Sequence, residues 1–228
     1  MAPPFYTPIL VFLPIHLPAC CGILQWSGKR RSVEGQIQVF FLVDLFDKVP
    51  LKLRLVLNRT GAITITAVPT NALAADPMLA AHISPATDRL PHSLGDPMTL
   101  ILDVAATQPS LFTSTKTTHR SHYTEARTRL GLPDVGGSLD VILWNPKGML
   151  METSIRNFAL FRRGRWVTPH DSTGCLHGVT RRWLLEQGLV TADGGAMLHK
   201  NNLQDGELVL TFSAVEGCRI AVARIRRA

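Results

Sequence analysis

Residues 148–169 read GMLMETSIRNFALFRRGRWVTP, and this stretch decides the fold class. Short apolar runs alternate in it with turn residues, a pattern that is typical of strands rather than helices. It predicts a strand at Met149–Glu152, then a hairpin with arms at Asn157–Arg162 and Arg165–Thr168 around a turn at Arg163–Gly164. We therefore expect a β-rich domain in this part of the chain.

The same pattern continues on both sides. Further strands are predicted at Leu139–Trp144, Glu207–Phe212 and Arg219–Arg224. Val179–Gln187 instead has the apolar spacing of a helix, and Gly188 can adopt the left-handed conformation that ends one. The second half of the chain is thus mostly strand, with one helix inserted.

The first half is less regular. A hairpin is predicted at Leu51–Leu57 and Ala62–Val68, a strand at Thr99–Val104, and a helix at His119–Leu130 after a polar link over 105–115. This order predicts an α/β (α+β) protein of two domains. We place a small N-terminal α/β domain at residues 1–106, atypical, incomplete or disordered over 1–45, and a larger β-rich domain at 115–228.

Composition excludes several classes of function. The 228 residues include 46% hydrophobic and 18% charged residues, which is ordinary for a compact protein. The net charge of +7 is spread over separate basic clusters without interleaved aromatics, so we expect no nucleic-acid partner. Prolines interrupt the apolar stretch Phe5–Leu24, so we expect neither a signal peptide nor a membrane helix. These features predict a soluble intracellular protein.

Metal and disulfide sites are also not expected. The four cysteines form no C-x-x-C pair, so free thiols are the simplest interpretation. His119 and His122 stand three residues apart and could share a helical face, but no third ligand is near them in sequence.

Three features in the second half could carry chemistry together. Lys116 follows the polar link, and a lysine can form a Schiff base once burial or neighbouring cations lower its pKa. Glu152 ends a predicted strand, where a carboxylate could keep a pyridine nitrogen protonated. Residues 173–181 (TGCLHGVTR) begin a helix with small residues and a hydroxyl, which suits a phosphate group. Taken singly, each has an ordinary alternative: a solvated loop, a sheet-edge acid and a plain helix cap.

The order and spacing of these motifs resemble a known family. Met151–Phe158 (METSIRNF), Thr168-Pro169 and Gly174–Arg181 are similar to successive motifs of the fold type IV pyridoxal phosphate (PLP) enzymes. The similarity covers Lys116 to Ile220. It implies two α/β domains with the cofactor between them.

The resemblance also implies roles for single residues. Lys116 would be the catalytic residue and hold the cofactor as a Schiff base, and Glu152 would pair with its pyridine nitrogen. Val179 and Thr180 would bind the phosphate through backbone N–H and hydroxyl groups, and Ser213 would supply a second hydroxyl.

Among family members, the chain most resembles the fungal aminodeoxychorismate lyases. The aminotransferases have a tyrosine at the fifth position after the lysine, where this chain has Ser121. The lyases have a basic residue at the fourth position, and here it is Arg120, our candidate for binding a substrate carboxylate in preference to Arg54 or Arg181. The resemblance implies conversion of 4-amino-4-deoxychorismate to 4-aminobenzoate and pyruvate, in folate synthesis, by a cytoplasmic homodimer.

One position departs from the family pattern. Ala19 stands where the family has a phosphate-binding arginine, and Pro18 precedes it. A bidentate charge-assisted contact with the cofactor would be lost. Two alternatives to the lyase therefore stay open, namely a fold type IV aminotransferase and a non-catalytic protein of the same fold.

Overall fold

A computed structural model of the chain describes residues 10–11, 51–58, 61–69, 76–134, 137–195 and 197–226. The predictions for Ala19 and its neighbours, and for most of 1–45, lie outside these residues. The chain divides into two compact units, residues 1–74 and 75–228.

The first unit contains a small antiparallel sheet in the order β1-β2-β3. Its strands are Leu10–Val11, Leu51–Leu57 and Ile63–Pro69. β2 and β3 form the predicted hairpin, in register from Leu51 opposite Pro69 to Leu57 opposite Ile63. Asn58 stabilises the turn because its side-chain oxygen accepts from the Ala62 backbone N–H at 2.9 Å.

The second unit is built on a mixed sheet that has eight strands within the described residues, in the order β6-β5-β4-β11-β10-β7-β8-β9. The β4–β5, β4–β11 and β8–β9 pairs are parallel, and the other pairs are antiparallel. The strands β4 to β11 are Met98–Leu102, Leu139–Trp144, Leu150–Thr153, Asn157–Arg162, Arg165–Thr168, Thr191–Ala192, Leu208–Ser213 and Gly217–Arg224.

Helices are few in the part of the chain that the structure describes. They are α1 (Leu111–Ser114), α2 (Ser121–Arg129) and α3 (Val179–Glu186), with short 3-10 helices at Leu79–His82, His92–Leu94, Asp171–Thr173 and Lys200–Asn202. None of the described helices is long and apolar enough to cross a membrane.

Both faces of the large sheet are covered. Alternate residues of one strand enter different apolar clusters: Leu160 packs with Met98 and Leu100, whereas Ala159 packs with Leu184 of α3. α2 covers a third cluster through Tyr123 and its neighbours Ala126 and Leu130. Tyr123, Ala126 and Leu130 follow the three- and four-residue spacing of one helical face. This packing fixes α2 and α3 against the sheet, and both helices border the site described below.

The predicted strands and the helices corresponding to α2 and α3 are confirmed to within a few residues. The position of β4, the strand before the polar link, was not predicted. β4 lies between β5 and β11 in the large sheet, and the two compact units divide after residue 74. Parallel pairing joins strands far apart in sequence, so hydrophobic periodicity does not indicate it.

Candidate active site

A cleft opens in the second unit beside the predicted catalytic lysine. It is formed by α1, the segment between α1 and α2, the end of β6 and the loop before α3. The residues that line it include Lys116, Arg120, Tyr123, Glu152, Ser154 and Leu176. The cleft therefore brings together Lys116, Glu152 and Arg120, three of the residues singled out in the sequence.

Lys116 is partly buried in the segment between α1 and α2. Burial lowers the pKa of its amine, the nearby Arg120 guanidinium lowers it further, and Glu152 opposes both. An amine with a lowered pKa is neutral, and so nucleophilic, for a larger fraction of the time. The position of Lys116 therefore suits Schiff-base formation.

Glu152 is buried at the end of β6, with 3% of its surface exposed, and does not face water. Its Oε1 accepts hydrogen bonds from the Tyr123 hydroxyl at 2.6 Å and from the Leu176 backbone N–H at 3.2 Å. Burial raises the pKa of Glu152 to about 7, although both of these donors, Lys116 and Arg120 lower it. The carboxyl group is thus held next to the lysine by groups from several elements.

Arg120 lies between these two groups and the turn after β6. Its Nη2–H donates to the Ser154 backbone oxygen at 2.7 Å, and its guanidinium carbon is 4.6 Å from the centre of the Tyr123 ring. This contact is close enough for a cation–π interaction. Ser121, by contrast, is exposed, and its hydroxyl is 3.0 Å from a ring nitrogen of His119. Arg120, and not Ser121, faces the cleft.

A buried network of charges supports the floor of the cleft. Asp140, which is fully buried, forms ion pairs with Arg127 at 3.1 Å and Arg156 at 3.3 Å. Arg156 also pairs with Glu216, and the Ser154 hydroxyl donates to Asp140. Two positive and two negative groups balance, as buried charges require. The network fixes Ser154, whose backbone oxygen orients Arg120.

The loop before α3 is held by a second arginine. Arg181, buried in the first turn of α3, is 2.6 Å from the Asp171 carboxylate and donates to the Pro169 backbone oxygen at 2.7 Å. The same loop packs closely against Pro109 at Gly174, which has a φ of +88° and where a Cβ would lie 2.6 Å from Cβ of Pro109. Arg181 is therefore occupied in shaping this loop, which leaves Arg120 as the arginine in the cleft.

The start of α3, where the sequence predicts a phosphate site, has no side-chain cap. Gly178 is the N-cap residue and supplies no side chain to the N–H groups of the first turn. The Val179 side chain is exposed, and Thr180 is buried on the inner face of the helix. Backbone N–H groups and a hydroxyl at a helix N-terminus suit a phosphate.

Gly178 is required by a close approach and not by its backbone angles. A Cβ at this position would lie 2.1 Å from Oδ1 of Asn157, whose amide donates to the Leu176 oxygen at 2.9 Å and lies 3.5 Å from Glu152. Asn157 is itself buried. The start of α3 is thus connected to Glu152 through Asn157.

Replacing Gly178 by alanine is expected to displace Asn157, and with it the Leu176 contact to Glu152. We expect affinity for PLP to fall about tenfold, the loss of about one good hydrogen bond to a charged group. Absorbance titration of the purified variant with PLP measures this. Gly194→Ala is the matched control, because a Cβ at Gly194 meets nothing within 4 Å. Equal affinities for both variants would contradict the role assigned to this contact.

Ser213, the predicted second hydroxyl for the phosphate, does not line the cleft. It ends β10, where the preceding residue, Phe212, pairs with Asn157, and its hydroxyl accepts from the Glu216 backbone N–H at 3.2 Å. Within the described residues, no hydrogen bond joins Ser213 to Lys116, Glu152 or Thr180. It lies at the same end of the sheet as Asn157 but apart from the cleft.

Sequence reasoning missed two parts of the site. It gave no role to Tyr123, which forms the shorter of the two hydrogen bonds to Oε1 of Glu152. It also gave none to Arg127 and Arg156, which pair with Asp140. A buried Arg–Asp pair leaves no local pattern, because its members come from different elements. The one available signal was Tyr123 itself, which shares a helical face with Ala126 and lies seven residues after Lys116.

The residues of the cleft fit PLP. The cleft contains a lysine amine with a lowered pKa and a buried carboxyl group for a ring nitrogen. Val179 and Thr180 do not line the cleft, but they begin α3 just after the lining residue Leu176, and their N–H and hydroxyl groups suit a phosphate. Among the residues that the structure describes, no cluster of three or more His, Cys, Asp or Glu side chains could hold a metal ion.

Comparison with solved structures shows the class of fold, that of the fold type IV PLP enzymes. An amino-acid aminotransferase from Mesorhizobium loti, so named provisionally, superposes with a TM-score of 0.59 at 22% identity, covering 83% of this chain and 80% of that chain. The family follows from sequence. A model described as Amino-transferase class IV matches residues 40–220, so the chain belongs to this family, whose cofactor is PLP.

Two curated relatives come from yeasts. A Schizosaccharomyces pombe protein, provisionally named aminodeoxychorismate lyase, is 30% identical over 207 residues, which cover 90% of this chain and 80% of the relative. The aminodeoxychorismate lyase of Saccharomyces cerevisiae is 31% identical over 189 residues, covering 73% of this chain and 50% of that enzyme. The chain thus spans about half the length of the second relative.

Proposed function

We propose that this protein is a PLP-dependent aminodeoxychorismate lyase, which converts 4-amino-4-deoxychorismate to 4-aminobenzoate and pyruvate. The observation that carries the proposal is the cleft in which Lys116 and Glu152 meet Arg120, while Ser121 lies outside on the surface. The names of the two yeast relatives support the same reaction. We also propose that the protein acts as a homodimer in the cytoplasm, as the family resemblance implies.

The proposed roles are those that the family resemblance implies. The positions of Lys116, Glu152 and Arg120 in the cleft support them, whereas Ser213, which lies apart from the cleft, rests on the resemblance alone. Lys116 holds the cofactor, and Glu152 accepts a hydrogen bond from its ring nitrogen. Val179 and Thr180 bind the phosphate at the start of α3, with Ser213 as a further hydroxyl. Arg120 lies where it can pair with a substrate carboxylate, because its guanidinium lines the cleft.

When bound, PLP supplies an electron sink that makes the proton on the amine-bearing carbon of the substrate removable. The Lys116 amine, which lines the cleft, would be the base for that proton. Loss of this proton allows the bond between the substrate ring and the enolpyruvyl oxygen to break, and the substrate ring becomes aromatic. Lys116 returns the proton to the methylene carbon of the departing group, which leaves as pyruvate. Both transfers involve one amine held at one face, which favours them through proximity.

A direct assay tests this proposal. The purified protein with PLP is mixed with 4-amino-4-deoxychorismate, and 4-aminobenzoate is followed by fluorescence and pyruvate by coupled reduction. We expect the two products in equal amounts with no 2-oxo acid added. A parallel assay with an amino acid as donor and a 2-oxo acid as acceptor tests the alternative. Amino-group transfer there without pyruvate release from 4-amino-4-deoxychorismate would identify an aminotransferase, and turnover in neither assay would identify a non-catalytic protein.

A further inference from the structure

The hydrogen bonds around Glu152 distinguish its two oxygens. Oε1 accepts from both the Tyr123 hydroxyl, at 2.6 Å, and the Leu176 N–H, at 3.2 Å. Oε2 has a single contact given by the described residues, a long one of 3.5 Å to the Asn157 amide. Oε2 is therefore the oxygen with capacity left for a ligand, and Oε1 is the oxygen by which the protein holds the group.

Tyr123 is fixed in its position independently of Glu152. Its ring is buried with Ala126, Met151 and Cys175. One side contacts the Arg120 guanidinium, 4.6 Å from the ring centre, and the His122 ring centre is 3.9 Å away. A buried aromatic ring with a single polar atom is a rigid donor, because few rotamers are open to it.

The direction of the hydrogen bond is determined by the two acidities. Burial raises the pKa of Tyr123 well above its ordinary value, and the neighbouring Glu152 raises it further, so the phenol keeps its proton and donates. Burial raises the pKa of Glu152, the hydrogen bond from Tyr123 is the largest effect that lowers it, and the balance of all the neighbouring groups is about 7. Donation from Tyr123 favours the ionised form, which a protonated ring nitrogen requires as its partner.

We propose that Tyr123 is a positioning residue that holds Glu152 by Oε1, favours its ionised form and presents Oε2 to the ring nitrogen of the cofactor. This inference rests on the role given to Glu152 in the proposed function. Tyr123 touches neither the substrate nor the reacting atoms in this account. It acts through the carboxylate, from a position seven residues after Lys116.

Tyr123→Phe is the sharpest variant, because it removes the hydroxyl and keeps the ring that packs against Arg120. Thr168→Val is the matched control: the Thr168 hydroxyl is fully buried, donates to the Phe158 oxygen at 2.8 Å, and lies on β8. Carbon-13 NMR of labelled glutamate in the cofactor-free protein follows the titration, with Glu152→Gln identifying the resonance. We expect the Glu152 midpoint, near pH 7 in the unaltered protein, to move to higher pH in Tyr123→Phe alone.

The loaded enzyme gives a second readout. PLP labelled with nitrogen-15 in its ring reports the protonation of that nitrogen, and we expect the protonated fraction at neutral pH to fall in Tyr123→Phe. We expect kcat/KM to fall about tenfold, since a hydrogen bond to a charged group is lost. In the Glu152→Gln background the same change should have little further effect, because Tyr123 acts through this carboxylate.

A complementary test strengthens the donor instead of removing it. Incorporation of 3-fluorotyrosine at the two tyrosines of the chain makes the Tyr123 phenol more acidic, and the Glu152 midpoint should then move to lower pH. This test remains informative if Tyr123→Phe does not fold. A Glu152 midpoint unchanged by either alteration would overturn the inference. Because the titration needs no turnover, its outcome is independent of whether the lyase assay succeeds.

Discussion

Replacing Lys116 by methionine is expected to lower kcat/KM at least about 10³-fold, because the amine serves both as the cofactor attachment and as the base. Methionine keeps an unbranched stem of similar length in the partly buried segment before α2, with sulfur in place of one methylene, and lacks the amine. The visible absorbance of lysine-bound cofactor should disappear at the same time. Stopped assays of 4-aminobenzoate and absorbance spectra of both proteins measure these effects.

The control for this variant is Lys147→Met, which alters an exposed lysine in the turn between β5 and β6. It should retain the spectrum and the activity of the unaltered protein. Activity within tenfold of normal in Lys116→Met would contradict the role assigned to Lys116, since general acid–base catalysis alone contributes more than this.

Replacing Asp140 by alanine is expected to produce the largest loss of stability, about 3–5 kcal/mol in the free energy of unfolding. The change leaves Arg127, which is fully buried, and Arg156, 6% exposed, facing each other with Glu216 as the one remaining carboxylate of the network. Breaking a buried network of ion pairs and hydrogen bonds is among the few causes of a loss this large. Urea denaturation followed by circular dichroism measures it.

An ion pair at the surface supplies the comparison. Glu186 pairs with Arg182 one turn earlier on α3, and both side chains are more than half exposed. Glu186→Ala should cost no more than about 0.5 kcal/mol, as expected for exposed pairs at this spacing. If Asp140→Ala cost no more than Glu186→Ala, the buried network would not support the cleft in the way described.

Much of the fold could be predicted because its signals are local. The β7–β8 hairpin follows from two apolar runs around Arg163-Gly164, and Gly164 has the positive φ that such a turn requires. The end of α3 near Gly188 follows from the same property, with a φ of +69°. In both cases a few adjacent residues contain the whole signal.

What could not be predicted depends on contacts between distant segments. Whether Glu152 faces water or the interior depends on Tyr123 and Leu176, which are 29 and 24 residues away in sequence. A single strand pattern does not show which other elements cover its end. The same holds for Asp140, whose partners Arg127 and Arg156 lie on either side of it in sequence and converge only in the folded sheet.

The different positions of Arg120 and Arg181 also depend on contacts between distant segments. The family resemblance favours Arg120 over Arg181 as a ligand for a carboxylate, but the local sequence gives no physical reason for that choice. Asp171 and the Pro169 oxygen engage Arg181, whereas Arg120 lines the cleft. Only the folded loop before α3 makes this distinction, because it brings Asp171 back against the first turn of the helix.

Mapping the cofactor attachment site determines whether PLP is bound to Lys116. The purified protein is loaded with PLP, reduced with borohydride and digested, and the modified peptide is identified by mass spectrometry. We predict one stoichiometric phosphopyridoxyl adduct on Lys116, absent from Lys116→Met. A stoichiometric adduct on any other lysine, or none at all in a folded protein saturated with PLP, would contradict the account.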